Sequence, residues 1–281
     1  MTFDIDDLSV YRGVDIPISN KIMVSQPTLG EIQEFSERKY FSAVYNLTAV
    51  GADMKWQLWD SGVDYTEIED YDLFVKLIFI LVSSKKKMYE NMLLEKDKYR
   101  ETLSNLTEEE IADFSINPLE LILKKTNGEP IDLCNFERYI IKDTEEIILY
   151  SKEDDIRIDR VVYQKIVQAI RKIHGLKRNN EVPANERTKM DLIEDARDEA
   201  LASSNKSYKS ILTPLISALT VKCGQCGDNR IWDMKIGAFL DNIKRAGKIQ
   251  DCELLLQGAY SGFASLKGID RNRLEWAGEL N

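Results

Sequence analysis

Two cysteines three positions apart are the residues of this chain best placed to do chemistry. Cys223 and Cys226 lie in the run TVKCGQCGDNRIW, residues 220–232, each followed by glycine. A C-x-x-C is half of a zinc site or a redox dithiol. A closed structural zinc site needs four N or S ligands in a tetrahedron. The other candidates are Cys134, Cys252 and the single His174, and none is paired at ligand spacing. A complete site would therefore need two lone residues from separate elements to converge. A redox dithiol follows a strand and opens a helix, whereas SILTPLISALTV ahead of this one has a helical pattern. The plainer reading is a connector. Gly224 and Gly227 can take the φ > 0 conformations that end one helix and reverse the chain, and Asp228 or Asn229 can cap the next. No cofactor is expected, and Cys223 and Cys226 stand as the metal or thiol candidates.

The remaining polar groups form no convergent set. His174 sits beside Gly175 at a helix end, where an imidazolium would meet the helix dipole. No G-x-S-x-G, Walker A, G-x-G-x-x-G or H-E-x-x-H pattern is present. Asp6-Asp7, Glu108-Glu109-Glu110 and Asp154-Asp155 read as solvated surface. The acidic, aromatic run DYTEIEDYD (64–72) lacks the glycine and ligand periodicity of a calcium loop. These observations favour an interaction protein over an enzyme. Trp56 and Trp59 lie one turn apart on one helix face; such a pair packs a core or anchors a partner. They stand as candidate partner contacts, with the charged helix at 185–203. That helix reads as an exposed arm or a pairing surface, but no heptad persists long enough to make it a coiled coil.

The elements that must position these residues follow from periodicity. VYRGVDIPISNKIMVSQPT predicts two short strands, with Val10 and Arg12 alternating ahead of Ile16, Ile18, Ile22 and Val24. Thr28 with Glu31 three residues on has the spacing of a capping box. Asp53 is expected to cap a short helix through WQLWD, and a long helix begins near Asp70. The middle is strand-rich, clearest at Leu119–Lys125 and Glu146–Tyr150, with Asn127-Gly128 as a turn signal and a short helix from Thr107. From Arg160 the pattern is helical. Val162, Ile166, Ala169, Ile170 and Ile173 share a face that Gly175 terminates. Pro214 either kinks a helix or opens one capped by Thr213. Two helices are expected near the C-terminus, one ending near Gly247 and one at Ser261-Gly262, and Trp276 is expected to dock on the body. The fold class is α+β, predominantly helical: an N-terminal β-hairpin plus helices (1–102), a small α/β insertion (103–159) and a C-terminal helical bundle (160–281).

Composition narrows the partners. A chain of 281 residues with 43% apolar content can bury a sizeable core. Its net charge of −10 argues against nucleic acid as a partner. Lys85-Lys86-Lys87 reads as a solvated helix face. The apolar run LFVKLIFILV (73–82) is too short to span a bilayer and contains Lys76. The acidic start, MTFDIDDLSV, has no secretory pattern, and reduced thiols are expected. Neither nucleic acid nor membrane is expected to bind; self-association is left open.

Two stretches taken together resemble a known group. One is the N-terminal run containing QPTLGEI and WQLWD. The other is ILTPLISALT followed by IWDMKIGAFLDNIKR and GAYSG…LKGID. This order resembles proteins encoded in the tail-gene clusters of bacteriophages and prophages of Gram-positive bacteria, called tail assembly chaperone-like or tail proteins. The resemblance covers about the first 80 and the last 75 residues; CGQCG does not belong to the shared pattern. It implies a non-enzymatic role in tail morphogenesis, with the tape-measure protein or tail tube subunits as partners, in the host bacterial cytoplasm during assembly. The alternative is a structural tail or baseplate component retained in the virion. The alternative of another class is a metal- or thiol-dependent protein using Cys223 and Cys226.

Overall fold

The computed structural model describes residues 3–78, 92–100, 104, 117, 119–141, 146–204, 207–222, 229–263, 265–278 and 280. Cys223 and Cys226, and the helix expected from Thr107, lie outside the described residues. The fold is α+β and predominantly helical. Helix α1 (Asp7–Tyr11) precedes strands β1 (Ile16–Pro17) and β2 (Ile22–Val24). Helices α2 (Leu29–Phe35), α3 (Glu37–Thr48), α4 (Lys55–Asp60) and α5 (Asp70–Ile78) follow. Strands β3 (Leu123–Lys125), β4 (Glu137–Ile140), β5 (Ile147–Ser151) and β6 (Ile156–Ile158) form the middle. The rest is helical: α6 (Arg160–His174), α7 (Glu186–Ser204), α8 (Leu212–Lys222), α9 (Ile236–Tyr260) and α10 (Arg271–Leu274).

Where the sequence alternates Val10 and Arg12 as in a strand, the chain is helical. Asp6 caps α1, accepting from the Ser9 amide at 2.9 Å, and a local cap outweighs a weak period-2 pattern. The expected hairpin forms, with Ile16 opposite Val24. It gains a third strand from a hundred residues away: β3 pairs antiparallel with β2, Val24 opposite Leu123. Asn127-Gly128 turns the chain just after β3. Gly128 has φ +89°, and the Lys125 amide donates to the Glu129 carbonyl across the turn at 2.7 Å. β4, β5 and β6 form a separate antiparallel sheet.

The Thr28 capping box is complete. The Thr28 hydroxyl accepts from the Glu31 amide, and the Glu31 carboxylate accepts from the Thr28 amide. Asp53 caps a different turn from the one expected. Its carboxylate accepts from the Val50 amide at 3.0 Å and closes a 3-10 turn, Gly51–Asp53, just ahead of α4. Thr213 does not cap α8. The helix starts at Leu212, so Pro214 lies in its first turn, where a missing N–H leaves no bond unmade. Two groups share the cap: the Ser210 hydroxyl accepts from the Thr213 amide at 2.9 Å, and the Glu37 carboxylate of α3 accepts from the Ile211 and Leu212 amides at 2.6 and 2.9 Å and from the Ser210 hydroxyl.

The core centres on α6, whose Ile166, Ala169 and Ile170 are fully buried. It packs on α3, α5, β2, β6 and α9. Gly175 ends it at φ +60° as the sequence predicts. Tyr71, Phe74 and Tyr163 stack between α5 and α6, the last two rings 4.5 Å apart. The expected pair of C-terminal helices is one helix: α9 runs 25 residues straight through Gly247. A helix-interior glycine costs only about 1 kcal/mol against alanine, and the positive φ that would end the helix comes at Gly262. The starts of α2 and α9 are stitched together. Thr28 bridges Lys235, the Leu29 amide donates to the Met234 carbonyl, and the Ile236 amide donates to the Pro27 carbonyl. The QPTLGEI and IWDMKIG runs, some two hundred positions apart, thus meet backbone to backbone.

Candidate interaction surfaces

The tryptophan pair and the charged helix come together in the fold, since α7 packs on α4. Beneath them is a second, smaller apolar cluster of Ala49, Leu58, Tyr65, Leu73, Leu77 and Ile193, edged by Met54, Trp56, Val63, Ile68 and Met190. Trp56 is half-buried against this cluster, while Trp59 is 37% exposed at its rim. Asn185, just ahead of helix α7, accepts from the Thr188 amide at 2.9 Å through its side chain. Among the described residues of α7, Lys189 and Ile193 are the buried ones, with Met190 partly buried against the cluster. The Lys189 ammonium is paired with the Asp64 carboxylate and lies 5.7 Å from the centre of the Trp59 ring, a cation–π distance. The hydrogen bond to Asp64 raises the Lys189 pKa, so the buried group stays charged. One turn past Ile193, Arg197 meets Asp60 at 2.5 Å.

Large apolar side chains also stand exposed along the second half of α9 and in the segment that follows it. Leu254 is 58% exposed, Tyr260 89%, Phe263 94% and Trp276 62%. The C-terminal segment is docked through its backbone and through polar side chains. Arg245 donates to the carbonyls of Trp276 and Gly278, and the Cys252 thiol lies 3.1 Å from the Leu274 carbonyl. The Trp276 ring is left in solvent, contrary to the expected docking: the segment is held by its carbonyls and by the side chains of Asn272 and Arg273, which meet Lys248 and Asp251.

The acidic run 64–72 tethers the basic residues around it. Glu69 pairs with Arg160, and Asp70 takes Arg178 in a two-pronged ion pair at 3.0 and 3.1 Å. Asp70 and Arg178 line two clefts. One, of about 380 Å³, is also bounded by Gly51, Tyr65 and Asn179. The other, of about 580 Å³, is bounded by Glu67, Tyr163, Gln164 and Arg171. Burial lowers the Arg171 pKa, and its guanidinium donates to the Thr48 carbonyl at 2.7 Å. Acids and bases in these clefts mostly neutralise one another.

His174 is not the imidazolium that its helix-end position suggests. It is buried, and burial pushes its pKa down to about 4. Nδ1 lies 2.8 Å from the Ile170 carbonyl, which can only accept. The proton therefore sits on Nδ1, and Nε2 accepts from the Tyr40 hydroxyl at 2.8 Å. With both nitrogens engaged, His174 is not free to ligate a metal. No group of three or more metal-ligating side chains occurs among the described residues, and none of their helices is long and apolar enough to cross a membrane. No family model matches the chain, and no curated protein or solved structure is detectably similar to it.

Proposed function

We propose that the protein is a non-enzymatic binding protein of phage-tail morphogenesis, holding the tape-measure protein or tail tube subunits while the tail is built in the host cytoplasm. The observation that carries this reading is the apolar end of α9. Tyr260 and Phe263, three residues apart, lie in solvent there, 89% and 94% exposed. Large apolar side chains grouped on a surface mark binding sites, and aromatic ones act as anchors. A long apolar assembly partner needs such anchors to shield it from self-association. The net charge of −10 supports the role, because a highly charged binder keeps its complex soluble. The resemblance of the N- and C-terminal runs to tail-cluster proteins supports it too.

Co-expression with the tape-measure protein of the same gene cluster tests the reading. The soluble fraction of that protein is expected to rise several-fold when this chain is present. If it precipitates equally with and without the chain, the chaperone reading fails. Mass spectrometry of purified particles separates assembly factor from retained component: stoichiometric presence in virions would favour the second.

A further inference from the structure

The larger of the two clefts beside Asp70 holds polar groups that the fold leaves unused. One wall is a single face of α6, where Tyr163, Gln164, Val167, Gln168 and Arg171 are spaced three and four apart. Tyr163 is 2% exposed, with its ring stacked on Phe74. Its hydroxyl has no hydrogen-bond partner among the described residues and is not sealed from solvent, so it opens into the cleft. Burial and Asp70 raise the Tyr163 pKa while Arg171 and Arg178 pull it down. The hydroxyl therefore keeps its proton and lies within electrostatic reach of both guanidiniums. Arg171 is half-buried and uses one of its five N–H donors on the Thr48 carbonyl. Among the described residues of the cleft, it is the cation without a carboxylate. Arg160 is taken by Glu69, and Arg178 by both oxygens of Asp70. Glu67 is exposed, where water screens its charge.

We propose that this cleft binds a small molecule carrying one carboxylate, held by the Arg171 guanidinium and the Tyr163 hydroxyl. A guanidinium with unused N–H groups pairs strongly with a planar carboxylate, and a protonated tyrosine can donate to the same group. Ile68 and Val167 give the body of the ligand an apolar wall. A volume of about 580 Å³ suits a small molecule. Charge decides against phosphate. Glu67, Glu69 and Asp70 on the facing run would repel a dianion, whereas one unpaired cation matches one negative charge. The site is separate from the end of α9, so either reading can fail while the other stands.

The test is an NMR titration of the full-length chain with benzoate, read at the backbone amides of Gln164, Val167 and Gln168. Benzoate is expected to shift them saturably, with a Kd on the order of millimolar for a ligand of this size. Benzamide, its uncharged analogue, should not. Tyr163→Phe removes a hydroxyl that bonds to no described residue, so it should melt with the unaltered chain and bind benzoate several-fold more weakly. Arg171→Gln should weaken binding by about tenfold or more. A cooperative melt checks that this variant folds, and Tyr163→Phe decides the matter if it does not. Inorganic phosphate, and an acetylated and amidated Gly-Glu-Gly peptide standing for a protein side chain, should bind more weakly than benzoate at equal ionic strength. The proposal is overturned by no saturable shift in the unaltered chain or by equal binding in Tyr163→Phe. Binding of benzamide, phosphate or the peptide as tight as that of benzoate overturns it too.

Discussion

The Tyr40 hydroxyl stands 2.8 Å from Nε2 of His174, and both side chains are buried where α3 meets α6. The bond satisfies the one lone pair of a neutral imidazole whose other nitrogen donates to Ile170. The only histidine of the chain is thus part of the core and comes with a defined tautomer.

A pH dependence follows from that arrangement. The folded pKa is about 4 against an ordinary value of 6.5. Below 6.5 the unfolded chain takes up a proton that the folded chain refuses, so the unfolded state gains. The contribution is complete above the ordinary pKa and is lost as pH falls from 6.5 toward 4. Between pH 7 and pH 5 the chain should lose about 2 kcal/mol through this group. Urea unfolding at the two pH values, compared with His174→Gln, measures it. Tyr40→Phe leaves Nε2 buried without a donor and should cost about 2 kcal/mol at pH 7.

Glu37 joins two helices that the sequence gives no reason to connect. Burial opposes its ionisation, but hydrogen bonds from Ser210, Leu212 and Ile211 outweigh this and hold its carboxyl below the ordinary range. Glu37→Ala should destabilise the chain by about 1–2 kcal/mol, the range of a lost helix cap. Because the folded pKa is lowered, the stabilisation is present above the ordinary carboxylate range and is lost as pH falls through the folded value. Hydrogen exchange should show the first turn of α8 opening in Glu37→Ala while α6 stays protected.

Two positions with positive φ predict opposite outcomes. Ser36, between α2 and α3, has φ +93° and makes no side-chain cap bond. Ser36→Gly removes the strain and should stabilise the chain by up to about 1 kcal/mol, after the added freedom of the unfolded chain is counted. Gly175 has φ +60°, in the left-handed region that a residue with a Cβ adopts only under strain. Gly175→Ala should cost about 1–2 kcal/mol. Thermal melts of the two variants should shift in opposite directions.

Local chemistry was legible in the sequence, and distant pairing was not. The Thr28–Glu31 box, the Asn127-Gly128 turn and the α6 face ending at Gly175 each depend on residues within a few positions, and each is present. The strap between Thr28 and Lys235, the cap from Glu37 on α8 and the pairing of β3 with β2 join residues a hundred or more positions apart, which periodicity does not encode. Gly247 misled because a glycine inside a helix and one that ends it look alike without φ. Trp56, Trp59 and the 185–203 helix were each visible as candidates. That they form one surface depends on the pairing of Lys189 with Asp64, and nothing in the spacing shows it. The exposed end of α9 was missed because Leu254, Tyr260 and Phe263 read as an ordinary helix face running into a turn.

The central claim is tested most directly by affinity capture. The tagged chain is expressed in cells where the phage or prophage that carries it is induced, and the captured proteins are identified. The account predicts stoichiometric recovery of the tape-measure or tube protein by the unaltered chain. It predicts loss of that recovery by Tyr260→Asp/Phe263→Asp, with both chains melting at the same temperature. Recovery of neither protein by the unaltered chain, or equal recovery by the variant, would contradict it.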